Sequence, residues 1–285
     1  MSRRVITKIL TTIIAIFAII LTFIITDPVH AGALVVTFID VGQGDTALLQ
    51  CDGRAMLIDA GPNAAAKTVV AFLTEKGVAA FDYVVGTHPH EDHIGGLDAV
   101  INYAGSIGEV WMPYTQTHTR TFEDVLDAVE SRKLTVTQPP VGKTYPLGDS
   151  TITILGPIGQ NYAELNNYSI VLRVDHGGNS FIFTGDAENL SEDEMLRAGS
   201  PLNGDVLKVG HHGSSTATSD AFLIKVDPTY AVISCGKGNQ YGHPDAETVN
   251  KLEVARVTIL RTDLDGSVVI TSDKGKLSVA QDTKR

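Results

Sequence analysis

The chain has 285 residues, of which 43% are hydrophobic and 19% charged. That composition supports a sizeable core and excludes a mainly disordered protein. Two cysteines exclude a disulfide framework, and a net charge of −11 excludes recruitment of nucleic acid by the overall field of the protein.

Taken in chain order, the first element is a leader. Arg3, Arg4 and Lys8 precede an almost unbroken apolar run over residues 9–25. Val29 and Ala31 then stand at the spacing a signal peptidase prefers, which predicts cleavage after Ala31. A run of this length is also at the lower edge of what spans a bilayer, so a retained anchor is the alternative. Either version places the rest of the chain outside the cytoplasm, secreted or membrane-anchored, because the positive charge stays inside. Residues 1–33 are thus read as signal peptide or anchor, and 34–285 as one domain. Cleavage removes three basic residues and one acidic residue, leaving a body still more acidic.

Beyond residue 33, short apolar runs alternate with Gly, Pro and Asp. Strands are predicted over 35–40, 46–50, 55–59, 83–86, 109–112, 151–155, 169–174, 180–184, 206–209, 230–234, 257–260 and 268–271. Asp52-Gly53 and Gly177-Gly178-Asn179 read as hairpin turns. Helices are predicted over 65–75, 93–103, 122–132, 188–197, 220–225 and 246–254. Hairpins come first and β-α alternation follows, twice over, which points to an α/β (α+β) protein with two mixed sheets face to face and helices outside. Cys51 and Cys235 each close an apolar run and read as small buried side chains; whether they pair is open.

The strand over 83–86 runs into Thr87-His88-Pro89-His90-Glu91-Asp92-His93. Histidine makes up only 9 of the 285 residues, so three of them within six positions are a strong signal for metal. Alternate residues of an extended loop, His88 and His90, can offer two imidazoles to one ion, while Asp92 and His93 begin a helix and face a second. Zinc accepts such ligands at about 2.0–2.2 Å, and paired ions stand about 3.5–4 Å apart. Asp186, at the tip of the strand ending Thr184-Gly185-Asp186, can bridge two ions or merely cap the next helix. His211 and His212 follow another strand tip, and one of them suffices as a ligand. His243 sits in a Gly-flanked turn, where it protonates a leaving group, binds substrate or is only a loop residue. His176 reads as an exposed turn residue, and His118 and His30 have no ligand context.

The motif HxHxDH formed by His88, His90, Asp92 and His93 resembles the signature of the metallo-β-lactamase superfamily. Val41-Gly42-Gln43-Gly44-Asp45, Leu57-Ile58-Asp59-Ala60-Gly61, Asn166-Asn167-Tyr168-Ser169, Lys208-Val209-Gly210-His211-His212-Gly213-Ser214, Ser234-Cys235-Gly236-Lys237-Gly238-Asn239, Tyr241-Gly242-His243-Pro244 and Arg261-Thr262-Asp263 resemble a narrower group. It is the hydrolase domain of ComEC-type DNA-uptake channels and its stand-alone relatives, and the resemblance covers essentially all of 34–285. It implies a four-layer αββα fold with a dinuclear site between the sheets. His88, His90 and Asp186 would hold the first ion. Asp92, His93, Asp186 and His211 or His212 would hold the second, with His211 favoured because the superfamily's matching turn commonly places its ligand directly after a glycine. Asp59 would orient a ligand histidine from behind. The superfamily usually adds a histidine where this chain has Asn166-Asn167. Asn167 is a weaker oxygen ligand or none, which softens the preference for Zn²⁺ over Mn²⁺.

The expected chemistry is hydrolysis by a metal-activated water, with two divalent ions, Zn²⁺ or Mn²⁺, and with Asp92 and Asp186 tuning the nucleophile. The resemblance favours an anionic phosphodiester substrate, single-stranded DNA outside the cell. Alternatives are an envelope polymer carrying a phosphorylcholine-type ester, a lactone or β-lactam, and a non-catalytic binding module that needs no metal. The N-terminal segment, if uncleaved, makes the membrane a partner; no protein partner is inferred.

Overall fold

The computed structural model describes residues 32–115 and 117–282, so the leader lies outside the described residues except for Gly32 and Ala33. Among the described residues no helix is long and apolar enough to cross a membrane.

Fifteen strands build two sheets among the described residues. The first sheet contains β1 (Leu34–Phe38), β2 (Ala47–Cys51), β3 (Arg54–Ile58), β4 (Ala80–Val85), β5 (Ser106–Trp111) and β6 (Val136–Thr137), completed by β14 (Ser267–Asp273) and β15 (Lys276–Asp282). Its order is β15-β14-β1-β2-β3-β4-β5-β6. The second contains β7 (Thr144–Leu147), β8 (Ser150–Gly156), β9 (Val171–His176), β10 (Asn179–Phe183), β11 (Val206–Lys208), β12 (Tyr230–Ile233) and β13 (Thr258–Arg261). Its order is β13-β12-β11-β10-β9-β8-β7. Both sheets are mixed. Hairpins such as β2–β3, turned at Asp52-Gly53, pair antiparallel, whereas β3–β4–β5 and β10–β11–β12–β13 are parallel and need helical crossovers.

Those crossovers are α1 (Ala66–Glu75), α2 (Glu91–Ile94), α3 (Leu97–Tyr103) and α4 (Arg120–Ser131) on the first sheet. On the second they are α5 (Asn189–Arg197), α6 (Asp220–Val226) and α7 (Ala246–Val254), with a short α8 (Thr262–Asp265) leading back to β14. Strand alternation sorts the core into three layers. Met56, Ile58, Phe181, Phe183 and Val232 point between the sheets and pack with Trp111, Tyr83 and Tyr145. Their strand neighbours Ala55 and Leu57 face the helices of the first sheet, and Ile182, Ala231 and Ile233 those of the second. The result is the four-layer αββα architecture expected from the sequence.

All twelve expected strands form. The single helix expected over 93–103 is broken at Gly95-Gly96, where a Cβ on Gly95 would lie 2.2 Å from the Asn63 nitrogen and one on Gly96 2.4 Å from the Ala60 carbonyl oxygen. That close packing seats the turn after β3 against the helix carrying His93, and the His93 carbonyl accepts a hydrogen bond from the Ala60 N–H at 2.7 Å. His176 is not the exposed turn residue expected. It ends β9 buried, its Nδ1 2.9 Å from Ser272 Oγ, because the sheet covers the hairpin with β14. Cys51 and Cys235 are both buried and free.

Candidate metal centre

Parallel strands deliver their C-terminal ends to one edge of the molecule, where open α/β sheets place their ligands. Here β3 brings Asp59, β4 the 87–93 turn, β10 Asp186, and β11 the two adjacent histidines. The cluster therefore draws on both sheets.

Asp59 is fully buried in a left-handed conformation (φ 57°). Its Oδ1 accepts the Thr87 N–H at 2.7 Å, and its Oδ2 accepts the Thr87 hydroxyl and His93 Nδ1, both at 2.8 Å. Burial pushes the Asp59 carboxyl up. Burial would lower His93, but the charges of Asp186 and Asp59 outweigh it and raise His93 well above the usual range. The proton on Nδ1 is thus fixed, and Nε2 is turned toward the cleft.

His212 is built the same way. Its Nδ1 donates to the Ser234 carbonyl at 2.9 Å, which directs Nε2 to Asp92 Oδ2 at 3.1 Å, His93 Nε2 at 3.3 Å and Asp186 Oδ2 at 3.5 Å. Asp186 is the hub. Its Oδ1 lies 3.2 Å from His93 Nε2, and its Oδ2 is 3.8 Å from both His88 Nε2 and His211 Nε2. His88 Nε2 meets His90 Nδ1 at 3.0 Å, and burial holds the His88 ring well below the ordinary histidine range. Asp92 and Asp186 both stay well below the carboxylate range. Burial opposes this, but His212 and His93 supply the stabilising contacts and charge.

These side chains fit a cation. With their Nδ1 protons committed elsewhere, His93 and His212 turn their Nε2 atoms toward each other beside two carboxylates, and each offers a nitrogen lone pair once its Nε2 proton leaves. Asp186 Oδ1 is buried without a hydrogen-bond partner. Such a buried set of carboxylates and imidazoles is stable only around positive charge, held as protons on the imidazoles or as a metal cation in their place. One ligand atom each from Asp45, His93, Asp186 and His212 lies within 4.8 Å of the others.

The two neighbouring histidines divide differently from the alternation expected of a strand. β11 ends at Lys208, and both residues follow in left-handed conformation (φ 47° and 53°) within a tight turn. His212, rather than the favoured His211, is buried in the cluster. His211 stands at the rim, its Nδ1 3.3 Å from Glu188 Oε1 and 3.1 Å from Thr216 Oγ1. Asn167 is buried and fully engaged: its Oδ1 accepts the N–H groups of Glu188 and Ser191, and its Nδ2 donates to Glu188 Oε2. It shapes the turn after Asp186 rather than turning its oxygen to the cluster. His243 sits beside the cluster, its ring centroid 5.5 Å from that of His211 and 6.4 Å from that of His212.

Two residues given no role by the sequence reading lie beneath the site. Asp45 Oδ1 is 3.3 Å from His212 Nδ1, and Asp45 Oδ2 is 2.7 Å from Lys208 Nζ. Gly44 allows this approach, since a Cβ there would lie 2.3 Å from the Asp92 carbonyl oxygen, and the Asp45 N–H donates to that same oxygen at 3.1 Å. The signal in the sequence was a lysine inside the otherwise apolar run Val206-Leu207-Lys208-Val209. Glu188, which organises His211, carried no signal beyond its place before a helix. Gln43, His90, Glu91, Asp92, Asp186 and Tyr241 are among the residues that border the resulting cleft of about 340 Å³.

Fold and cluster together define a metal-binding hydrolase architecture, and the family model for the metallo-beta-lactamase superfamily matches residues 39–237: the chain belongs to that superfamily. Its curated relatives include ComE operon protein 3 of Bacillus subtilis, 31% identical over 252 residues (82% of this chain, 32% of that protein). Competence protein ComA of Neisseria gonorrhoeae is 33% identical over 242 residues, 84% of this chain and 32% of that protein. The chain thus spans about a third of the length of these ComEC-type competence relatives. Among solved structures, the metallo-beta-lactamase fold protein YhfI from Bacillus subtilis aligns with a TM-score of 0.55 at 14% identity, covering 87% of this chain and 100% of its own. CmlA, a diiron beta-hydroxylase from Streptomyces venezuelae, aligns with a TM-score of 0.54 at 14% identity, covering 87% of this chain and 54% of its own. These two show the shared fold.

Proposed function

We propose that the protein is an exported phosphodiesterase with two divalent ions, Zn²⁺ or Mn²⁺, acting on single-stranded nucleic acid outside the cell. The observation that carries the reading is the meeting of His93 Nε2, His212 Nε2, Asp92 and Asp186 with His88 and His90 at the floor of an open cleft. Relatives named for competence, and Recombination protein 2 of Haemophilus influenzae at 27% identity, support nucleic acid as the substrate. The basic start and the apolar run over residues 9–25 support export, with the membrane as partner where the segment is retained.

His88, His90 and Asp186 would hold one ion, and Asp92, His93, Asp186 and His212 the other. When bound, such ions supply Lewis acidity and acidify a water. The chain's own residues set the geometry. Asp59 and the Ser234 carbonyl lock the tautomers of His93 and His212, so neither imidazole can turn its proton toward the substrate side. Asp92 and Asp186, kept ionised, balance the positive charge and accept hydrogen bonds from an attacking water. His211, steadied by Glu188 and Thr216, and His243 line the wall where a leaving group departs. The test is a panel of bis-p-nitrophenyl phosphate, p-nitrophenylphosphorylcholine, nitrocefin and single-stranded DNA with added Zn²⁺ or Mn²⁺. Turnover of the first and last is expected; turnover of only the second or third would replace the reading.

A further inference from the structure

The loop over 236–244 leaves β12 and returns beside the metal cluster. Asn239 fixes its shape. Asn239 Nδ2 donates to the carbonyls of Gly236 at 2.9 Å and His243 at 2.6 Å, while Oδ1 accepts the N–H groups of Tyr241 and His243, both at 3.1 Å. The Gly236 N–H donates to Gln43 Oε1 at 3.1 Å and ties the loop to the β1–β2 connection. What this braced loop presents is a graded stack of rings. His243 lies nearly parallel to His212, with an interplanar angle of 26°, and Tyr241 lies nearly parallel to His243 at a centroid distance of 5.8 Å, again at 26°.

Tyr241 is 60% exposed and borders the cleft. His243 covers part of the ring, and the rest faces solvent. The core gains nothing from an aromatic side chain held outward, yet the backbone that carries it is hydrogen-bonded into one conformation. A flat, open ring face carried on a braced backbone is a stacking surface, and its ring contacts run from Tyr241 to His243 and from His243 to the ligand histidine His212. One imidazole separates Tyr241 from the ligand cluster, as one sugar separates a base from its phosphate.

We propose that Tyr241 is a stacking platform for the nucleobase adjacent to the scissile phosphate, giving the cleft a single-nucleotide subsite. The inference rests on the phosphodiester reading of the same site. A cleft of about 340 Å³ accommodates a group of nucleotide size. Stacking uses the π-face that every base has, so the platform selects for nucleic acid without selecting sequence. It also supplies locally what a net charge of −11 denies globally.

The experiment compares binding of thymidine 5′-monophosphate, deoxyribose 5-phosphate and phosphorylcholine to the Zn²⁺-loaded full chain by calorimetry. None of these is a phosphodiester, so the readout is independent of turnover. Wild type should prefer the thymidine nucleotide over the abasic phosphate by about 5- to 150-fold, the range base–aromatic stacking supports. Tyr241→Ala should erase that preference and Tyr241→Phe should keep it; both should fold, since the ring is mostly exposed. Equal binding of the two phosphates by wild type, or a preference that survives Tyr241→Ala, overturns the proposal. Tighter Tyr241-dependent binding of phosphorylcholine also overturns it, in favour of a quaternary ammonium on the ring. A Tyr241-dependent base preference without cleavage of a thymidine dinucleotide would keep the platform and remove the phosphodiesterase reading; cleavage without base preference would do the reverse.

Discussion

Lys208 Nζ lies 2.7 Å from Asp45 Oδ2 beneath the metal cluster, and both side chains are almost completely buried. The lysine also donates to the Val209 carbonyl at 2.8 Å, so its charge is held in place at two points. Burial opposes ionisation of Asp45, but Lys208 and then His212 outweigh it and lower the carboxyl.

Breaking that pair from one side should be costly. Lys208→Met leaves a buried carboxylate without its partner and should destabilise the metal-free protein by about 3–5 kcal/mol, whereas the Lys208→Met/Asp45→Asn double variant should lose much less. Urea unfolding of the two variants and wild type measures the difference. Equal losses would mean that the pair is not coupled.

Asp186 touches four imidazoles, three of them through one oxygen. Asp186→Ala should therefore remove metal as well as activity. Elemental analysis after metal-supplemented purification should find close to two ions in wild type and close to none in the variant. Full metal retention by the variant would reduce Asp186 to a structural residue.

Burial sets the order of the two adjacent histidines. His212→Ala should lower metal content and activity far more than His211→Ala, for which a loss of about 10- to 100-fold in activity is expected, as for a residue that steadies the site from outside it. The reverse order would place His211 among the ligands.

The metal-free site should compete with protons. Burial works against a charged His212, but Asp186, Asp45 and Asp92 outweigh it and raise the group to about 10. A raised histidine contributes stability that is present below its unfolded value of about 6.5 and lost as pH rises through about 10. The EDTA-treated protein should therefore lose stability across that window, while apparent metal affinity rises over it because each ion must displace a proton. Calorimetry in two buffers of different ionisation enthalpy should show proton release on metal binding at pH 7. Binding without proton release would mean the imidazoles are already neutral.

Burial and the neighbouring Asp263 charge push the Cys235 thiol up to about 12, and burial also raises Cys51. Neither thiolate is then available near neutral pH. A maleimide should leave the native protein unlabelled and modify both thiols after unfolding; rapid native labelling would contradict this.

The strands were legible because each is a short β-branched or aromatic run bounded by turn residues. Three escaped. β7 contains Pro146, which an edge strand tolerates but a pattern search rejects. β6 has only two residues, and β15, at the edge of its sheet, only alternates Leu277 and Val279 with polar residues and shows no apolar run. The 88–93 motif and Asp186 were legible because several ligand types crowd into few positions. Asp45, Lys208 and Glu188 act through partners 20 or more residues away in sequence, or through a turn whose left-handed conformation no spacing announces. The same turn explains the histidine pair: strand alternation stops applying where the strand stops.

The cluster joins side chains that are far apart along the chain. His93 meets His212 across 119 positions, one anchored on each sheet. Neither half of the chain holds His93 and His212 together, so an ion held by both would act as a clasp across the sandwich and would report that docking is finished. Loop closure over such a span must precede any reward from the contact. A folding intermediate with one sheet formed should leave metal in solution, and the last step of assembly should coincide with its uptake.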